Sequence, residues 1–363
     1  MTKYNSHVIK IEAVRSWPII VGVGIVNQLE QHFDFSSYSS IILITDTTVK
    51  KLYGQSVMKA LEATGKKVSV STVPVGERSK SLRVAERGYR FLLKNNVDRR
   101  ALICTLGGGV VGDVGGYIAA TYLRGINYIQ LPTTLLAQVD SSIGGKVGVN
   151  FSGKKNMIGS FYQPRAIISD VAFLKSLPPA EMRNGMAEVI KYGLAMDEEL
   201  FRILDQRGER EFTTAELVDI VMRCCYLKAR IVEVDETERS GQRAILNFGH
   251  TVGHALEAVT KLQGLSHGEA VAIGMAAAAR ISEQVGILDG SSIHRIEKVL
   301  LQFGLSTYCQ QVTPDDLIEA IRFDKKTTGG ETGWVLLKGI GKGVVNQPVE
   351  ENVVRKVLME ICR

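Results

Sequence analysis

Short aliphatic runs alternate with amphipathic stretches between residues 40 and 150, and this alternation constrains the fold more than any other feature of the sequence. Regular alternation of strands and helices predicts a parallel sheet that is covered by helices on both faces. The runs with the length and aliphatic content of buried strands are Ser40–Thr45, Lys67–Val73, Ala101–Leu106 and Tyr128–Leu131. The stretches predicted as intervening helices are Val49–Thr64, Leu82–Asn95 and the residues after Gly109.

The pattern changes after Asp170. Pro178 and Pro179 interrupt the chain, and from Ala180 to about Ile321 almost every segment has helical periodicity. At roughly 150 residues per domain, a chain of 363 residues fits two domains. We therefore predict an α/β domain at 1–175 and a mostly helical domain at 176–363. Small β elements are expected near the two ends, at Val8–Ile11 with Ile19–Val23 and at Gly333–Leu337 with Gly343–Val345.

Composition argues against several functional classes. The 44 Lys and Arg residues exceed the 38 Asp and Glu residues, but they form no run of five or six like charges, so nucleic acid is not indicated and an anionic small substrate remains open. The five cysteines are odd in number and contain no C-x-x-C pair, which favours a reducing cytoplasm over a disulfide framework. No apolar stretch approaches the roughly 20 residues of a membrane span. We therefore expect neither a nucleic-acid nor a membrane partner.

A glycine-rich turn is predicted where a strand meets a helix. Gly107–Gly112 reads G-x-G-x-x-G and directly follows a predicted strand, a position where backbone N–H groups can bind a diphosphate. The acidic residue expected about 20 positions later is absent around residues 127–130. Asp46, at the end of the first predicted strand, is the acid that could replace it. The alternative is a tight turn that needs glycine for packing alone.

Three of the six histidines fall within a short stretch of sequence. His250 and His254 share one face if the residues after His250 are helical, and His267 follows a glycine-containing loop. Glu188, within the apolar segment Met186–Leu194, is the best accompanying carboxylate, because burying an ionised group without a partner or a metal is costly. Two imidazoles and a carboxylate are typical ligands of catalytic zinc. The alternative is that the histidines are core residues bonded to the backbone.

Several basic side chains lie in small or apolar surroundings rather than on charged faces: Arg124, Lys146, Lys155 and Lys191. Arg243 and Asn247 precede His250 by seven and three residues. Such residues near a metal site suit a substrate that carries a phosphate and a carboxylate. Taken one at a time, each is better explained as an ordinary ion-pairing residue, and only the coincidence with the metal candidates favours a ligand site.

Six segments, in order along the chain, resemble the 3-dehydroquinate synthases of the sugar-phosphate cyclase superfamily. The resemblance runs from about Asp46 to Asp324–Lys326. The segments are GGGVVGDVGGYIAATYLRG, LPTTLLAQVDSSIGGKVGVN, GKKNMIGSFYQP, NGMAEVIKYG, LNFGHTVGHALE and HGEAVAIGM.

The resemblance implies a fold, a reaction and cofactors. The fold would be a Rossmann-like NAD-binding domain with a parallel sheet, followed by a mostly α-helical metal-binding domain. The reaction would convert 3-deoxy-D-arabino-heptulosonate 7-phosphate into 3-dehydroquinate and phosphate in the shikimate pathway, by transient oxidation with NAD, β-elimination, reduction and intramolecular aldol closure. The implied cofactors are NAD and Zn²⁺, with Co²⁺ as an alternative, in a cytoplasmic homodimer.

Matching motifs assign roles to individual residues. Zinc would be held by Glu188, His250 and His267. The nucleotide would contact Asp46, Glu77, Lys80, Gly108, Gly109, Val110, Asp113, Thr133, Thr134, Asp140 and Lys155. The substrate would be surrounded by His254, Lys146, Asn156, Lys191, Lys228, Arg243, Asn247, Lys325 and Arg124, the last of them supplied by the partner subunit.

Two positions and two functions stay open at this level. The segment DETERSGQR has one residue more than the family spacing, which leaves the role of Glu238 undecided, and either Lys325 or Lys326 could reach the substrate. The alternative functions are another sugar-phosphate cyclase and a zinc- and NAD-dependent polyol dehydrogenase. A catalytically silent nucleotide-binding protein is disfavoured because all three metal candidates are present.

Overall fold

The computed structural model describes residues 7–11, 17–208, 210–260, 264–310, 312–327 and 333–362, with only the backbone described at 324–327. The chain forms two compact units. The first comprises Met1–Leu177 and Phe212–Thr237, and the second comprises Pro178–Glu211 and Glu238–Arg363. Phe212–Thr237 thus belong to the first unit. A single boundary at residue 175, as proposed from the sequence, assigns them to the second domain.

The first unit is built on a seven-stranded sheet in the order β1-β2-β9-β6-β5-β3-β4. All neighbouring strands are parallel except β1 and β2, which are antiparallel. The parallel sheet and the α/β class are therefore confirmed. The strands of this sheet are β1 (His7–Ile11), β2 (Trp17–Gly22), β3 (Ser40–Asp46), β4 (Lys67–Val73), β5 (Leu102–Gly107), β6 (Asn127–Pro132) and β9 (Ile167–Asp170).

Burial on both faces explains why the central strands read as continuous apolar runs. In β3, alternate residues enter different cores: Ile42 and Ile44 pack on one side, and Ile41 and Leu43 on the other. Ile41 is in register with Val68 of β4 and with Leu102 of β5. Such runs are typical of strands that have helices on both sides.

Two antiparallel hairpins complete the β structure. One joins β7 (Lys146–Phe151) to β8 (Lys154–Phe161), and the other joins β10 (Trp334–Gly339) to β11 (Lys342–Gln347). The second hairpin was predicted, whereas β7, β8 and β9 were not. Strand β7 packs on the first helix after the glycine turn, while β8 is mostly exposed.

Helices cover the sheet and form most of the second unit. The second unit has a core in which α9 and α10 pack with α12, α13 and β10. None of the described helices is both long enough and apolar enough to cross a bilayer. The helices are α1 (Leu29–His32), α2 (Thr47–Val49), α3 (Gln55–Glu62), α4 (Leu82–Lys94), α5 (Gly109–Thr121), α6 (Pro179–Ala195), α7 (Glu198–Arg207), α8 (Thr214–Val234), α9 (His250–Val259), α10 (His267–Gln284), α11 (Gly290–Gln302), α12 (Pro314–Thr327) and α13 (Glu351–Ile361).

Glycines let α5 lie directly on the sheet. A Cβ atom at Gly115 would come within 2.4 Å of Thr105 Cγ2, and one at Gly116 would come within 2.4 Å of Val147 Cγ1. We expect Gly115→Ala to destabilise the protein by up to about 2 kcal/mol, because an overpacking cost of up to about 3 kcal/mol outweighs the roughly 1 kcal/mol gain in helix propensity. Thermal or urea denaturation measures the change.

The background variant Thr105→Ser isolates the cause of this effect. Serine lacks the Cγ2 atom that the new Cβ would meet, and it keeps the hydroxyl that donates to the carbonyl of Ile129. The cost of Gly115→Ala should therefore shrink in that background. An equal cost in both backgrounds would show that the close approach does not determine the identity of residue 115.

Candidate active site

The second unit brings Glu188, His250 and His267 together. Glu188 Oε1 lies 3.6 Å from Nε2 of His250 and 3.5 Å from Nε2 of His267. One ligand atom from each residue falls within 4.8 Å of the others. Tetrahedral zinc with bonds of 2.0–2.1 Å separates neighbouring ligand atoms by about 3.3 Å. The three side chains therefore fit a zinc ion with a fourth position for another ligand.

Local backbone structure fixes the two histidines. His250 begins α9 directly after Gly249, whose φ is +81° and whose Cβ would lie 2.8 Å from the backbone nitrogen of Met275. His267 begins α10, where Ser266 and Glu269 form a capping box. Because capping residues define where a helix starts, the sequence places both imidazoles at helix N-termini.

The electrostatics of Glu188 and His250 favour metal-binding states, whereas His267 must lose a proton when a metal binds. Burial opposes ionisation of Glu188, but Lys191 and the two imidazoles hold its pKa well below the usual range. Burial lowers the pKa of His250 to about 3, and Lys191 adds to that effect. Burial alone would lower the pKa of His267, but its contacts with Glu188 and Glu257 raise that pKa to about 9. An ionised Glu188 beside a neutral His250 matches the states in which these side chains bind metals.

His254 and Glu257 lie on the same face of α9 as His250. The His254 ring lies 5.2 Å from the His250 ring and is exposed. Glu257 lies one turn further along α9, and its Oε1 atom is 3.3 Å from Nδ1 of His267. Sequence reasoning missed Glu257, although its spacing of seven residues from His250 places it on the same face. Lys191 forms an ion pair with Glu188 on α6.

In the first unit, the glycine turn connects β5 to α5 as predicted. Gly107 ends β5, Gly108 is the N-cap of α5, and no side chain caps the helix. A Cβ at Gly109 would lie 2.9 Å from Ser141 Oγ, and one at Gly112 would lie 2.7 Å from Gln130 Oε1. The helix N-terminus at this turn has no side-chain cap, and its glycines are closely packed. Diphosphate binding and a packing requirement are therefore compatible explanations of these glycines.

Asp46 lies at the carboxyl end of β3. Its Oδ1 atom accepts hydrogen bonds from the backbone nitrogens of Thr48 at 2.8 Å and Val49 at 2.9 Å. Asp46 therefore caps the short helix α2, a structural role that the sequence analysis did not assign. Its contact with a nucleotide stays a prediction.

Lys80 is the centre of a polar cluster in the first unit. It donates to Asp113 Oδ2 at 2.6 Å and to the side-chain oxygen of Asn156, and it lies 3.9 Å from Glu77 Oε1. Asn150 bridges the cluster by donating to Glu77 at 2.8 Å and accepting from the backbone nitrogen of Asn156 at 2.9 Å. Burial raises the pKa of Asp113, although Lys80 opposes that shift. Four predicted site residues thus contact one another.

Another buried lysine of the first unit, Lys228, forms hydrogen bonds with Asp140. Lys228 on α8 donates to the backbone oxygen of Asp140 at 2.8 Å and to its Oδ1 atom at 2.7 Å. Asp140 lies in the π-helical segment Ala137–Ser141, a type of helix that is frequent at functional sites. Thr133 and Thr134 precede this segment, and Thr134 Oγ1 accepts from the backbone nitrogen of Ala137 at 3.1 Å.

The remaining predicted residues occupy other positions in the two units. Val110 lies in the first turn of α5, and Arg124 is exposed after that helix with a φ of +66°. Lys146 and Lys155 are exposed on β7 and β8, whereas Arg243 is buried and Asn247 is exposed in the second unit. The side chains of Lys325 and Lys326 are outside the described residues. Glu238, at the extra residue, adopts a left-handed conformation with a φ of +58°.

Comparison with known proteins decides the family. A family model for the N-terminal part of 3-dehydroquinate synthase matches residues 70–184, and one for its C-terminal part matches residues 185–327. A curated 3-dehydroquinate synthase from Desulforamulus reducens is 43% identical over 350 residues, which cover 95% of this chain and 97% of the relative. The chain belongs to the 3-dehydroquinate synthase family. The resemblance noted in the sequence is confirmed.

Solved structures support the same fold for this 3-dehydroquinate synthase family member. A 2-deoxy-scyllo-inosose synthase, complexed with carbaglucose-6-phosphate, NAD⁺ and Co²⁺, aligns with a TM-score of 0.88 and 26% identity, covering 98% of this chain and 99% of that one. The 2-epi-5-epi-valiolone synthase of Streptomyces hygroscopicus, with NAD⁺ and Zn²⁺ bound, has a TM-score of 0.86 and 25% identity, with coverages of 98% and 99%. The predicted fold class is confirmed.

Proposed function

We propose that this chain catalyses the 3-dehydroquinate synthase reaction, in which 3-deoxy-D-arabino-heptulosonate 7-phosphate gives 3-dehydroquinate and phosphate. The observation that carries the proposal is the group formed by Glu188, His250 and His267, with Lys191 paired to the same carboxylate. This group lies within a chain that is 43% identical to a curated 3-dehydroquinate synthase over nearly its full length.

Zinc is the metal that this group would hold, with Co²⁺ as the alternative. Bound there, it would act as a Lewis acid toward a substrate hydroxyl oxygen and lower the pKa of that hydroxyl. Glu188 supplies the negative charge of the ligand set, and each histidine supplies a neutral Nε2 atom. Lys191 compensates the buried Glu188 charge.

NAD would be held by residues of the first unit. The uncapped N-terminus of α5, at Gly108, Gly109 and Val110, offers backbone N–H groups to a diphosphate. The other proposed contacts come from Asp46, Glu77, Lys80, Asp113, Thr133, Thr134, Asp140 and Lys155. Cofactor-bound cyclases with the same fold support this assignment. When bound, NAD would accept a hydride from the substrate and return it within the same turnover.

The other residues would bind and orient the sugar phosphate. Lys146 and Asn156, with Arg124 of a second subunit, suit the phosphate group, while Lys228, Arg243 and Asn247 suit the carboxylate end. His254 presents an exposed imidazole next to a metal ligand, where it can accept a proton from the substrate hydroxyl. The helix α12 would add Lys325 or Lys326. Because Arg124 acts from the partner, the proposal includes a homodimer, and we place the enzyme in the cytoplasm.

We expect phosphate release to require NAD without any accumulation of NADH, because the net reaction contains no redox change. Purified protein would be incubated with zinc and the heptulosonate phosphate, with and without added NAD, while phosphate and NADH absorbance are followed together. Reactions without sugar phosphate give the background. Formation of NADH in proportion to substrate consumed would favour a polyol dehydrogenase instead.

A further inference from the structure

A carboxylate lies behind one of the two metal-binding imidazoles. Glu257 Oε1 is 3.3 Å from Nδ1 of His267, while Nε2 of the same ring points to Glu188 at 3.5 Å. His250 has the same arrangement, but its Nδ1 atom lies 3.3 Å from a neutral acceptor, the backbone oxygen of Phe248. The two imidazoles therefore have different supports: one is an ionisable carboxylate and the other is a peptide carbonyl.

We propose that Glu257 is a positioning residue that holds His267 with a proton on Nδ1 and directs Nε2 to the metal. The inference rests on the proposed function in one respect, the metal held by Glu188, His250 and His267. A histidine that binds a metal through one nitrogen commonly donates its other N–H to a carboxylate or carbonyl, which fixes the tautomer and the ring orientation. Glu257 provides that acceptor for His267.

The placement of Glu257 supports a specific role. It is only 9% exposed, and an ionised carboxylate that is buried to this degree is unfavourable unless it is paired. Its position on α9 is also determined by helix geometry, because residues 250, 254 and 257 recur on one face. The same helix therefore supplies one metal ligand directly and supports the ligand that begins α10.

The support matters more for His267 than an equivalent contact would for His250. The imidazole of His267 is 30% exposed, whereas that of His250 is 12% exposed. Because packing covers less of the His267 ring, its orientation depends more on the hydrogen bond at Nδ1. Loss of such partners typically lowers metal affinity by about 10- to 100-fold.

Zinc affinity of the metal-free protein tests the proposal directly. Full-length wild type, Glu257→Gln and Glu297→Gln would be stripped of metal and titrated with zinc against a chromophoric chelator, without substrate or NAD. We expect Glu257→Gln to bind zinc about 10- to 100-fold more weakly. Glu297→Gln is the matched control, because Glu297 is also a largely buried carboxylate, with 15% of its side chain exposed, and it contacts α10 through Arg280. This variant should retain wild-type affinity.

Two outcomes would overturn the proposal. One is a zinc dissociation constant for Glu257→Gln within twofold of wild type, and the other is an equal loss of affinity in both variants, which would indicate general weakening of the unit. The visible spectrum of the Co²⁺-loaded proteins gives an independent readout. A displaced His267 should change the spectrum of Glu257→Gln and leave that of Glu297→Gln unchanged.

Wild-type protein provides a test that does not depend on the folding of a variant. In the zinc-loaded protein, ¹⁵N NMR of the imidazole rings should show His267 protonated at Nδ1 and bound to zinc through Nε2. Zinc on Nδ1 would contradict the proposal. None of the three experiments requires turnover, so failure of the phosphate-release assay with intact zinc binding would reject the proposed function and leave the role of Glu257 standing.

Discussion

Alanine in place of Glu188, His250 or His267 should remove zinc and activity together. Each substitution deletes one of three side chains whose ligand atoms lie within 4.8 Å of one another. Two remaining protein ligands should hold zinc more than about 100-fold less tightly, since loss of even an outer-shell partner costs up to that factor. Glu188→Ala also leaves the buried Lys191 without its carboxylate partner, so its thermal stability should fall as well.

His254→Ala is the matched control for these variants. His254 lies on the same helix face as His250, and its ring is 5.2 Å from that ring, but it does not belong to the ligand group. It should keep about one zinc per chain and lose rate by roughly 10²–10⁴-fold, the usual contribution of a positioned acid or base. Elemental analysis of the purified proteins with parallel rate measurements separates the two effects. Full zinc content in His250→Ala would contradict the ligand assignment.

The second large effect concerns the substrate. A substrate without a carboxylate would leave Lys228, Arg243 and Asn247 without the group that they are proposed to bind. Lys228 and Arg243 are 7% and 2% exposed, and charge-assisted hydrogen bonds from such buried groups to a carboxylate are roughly twice as strong as neutral ones. We therefore expect discrimination on the order of a thousandfold or more in favour of the carboxylate-bearing heptulosonate phosphate.

Phosphate release from three sugar phosphates measures this discrimination. The heptulosonate 7-phosphate is compared with sedoheptulose 7-phosphate and glucose 6-phosphate, both of which lack the carboxylate. Arg243→Met should reduce the preference, because it removes the charge and keeps much of the side-chain length. Equal or greater activity on either of the two other sugars would exclude dehydroquinate synthase activity and favour another sugar-phosphate cyclase.

Sequence reasoning predicted the elements whose burial imposes a strong pattern. Strands such as Ser40–Asp46 are covered on both faces, so they appear as aliphatic runs. The hairpin of β7 and β8 gave no comparable signal, because β8 is largely exposed and Lys155 within it was considered only as a charged residue, for ligand binding or ion pairing. Its turn is made by Ser152 and Gly153, both with positive φ, and this serine–glycine pair is the turn signal that could have revealed it.

In the candidate site, too, some neighbours could be predicted from the sequence and others could not. Spacing within one helix was sufficient to place His250 beside His254, since only helix periodicity is needed. Spacing cannot show that Lys228 contacts Asp140, because the two residues are 88 positions apart and meet through tertiary structure. The same periodicity could have placed Glu257 on the face of His250. Its contact with His267 could not be predicted in this way, because His267 lies on another helix.

The return of residues 212–237 to the first unit has a consequence for how the protein is made. Helix α8 contacts β1, β2 and the segment that contains Asp140, so the first unit is incomplete until residue 237 has been synthesised. During translation, the α6 and α7 helices of the second unit emerge before that point. Nascent chains stalled before α8 should therefore resist protease less than chains stalled well after it, and no single cut in the gene yields both units intact.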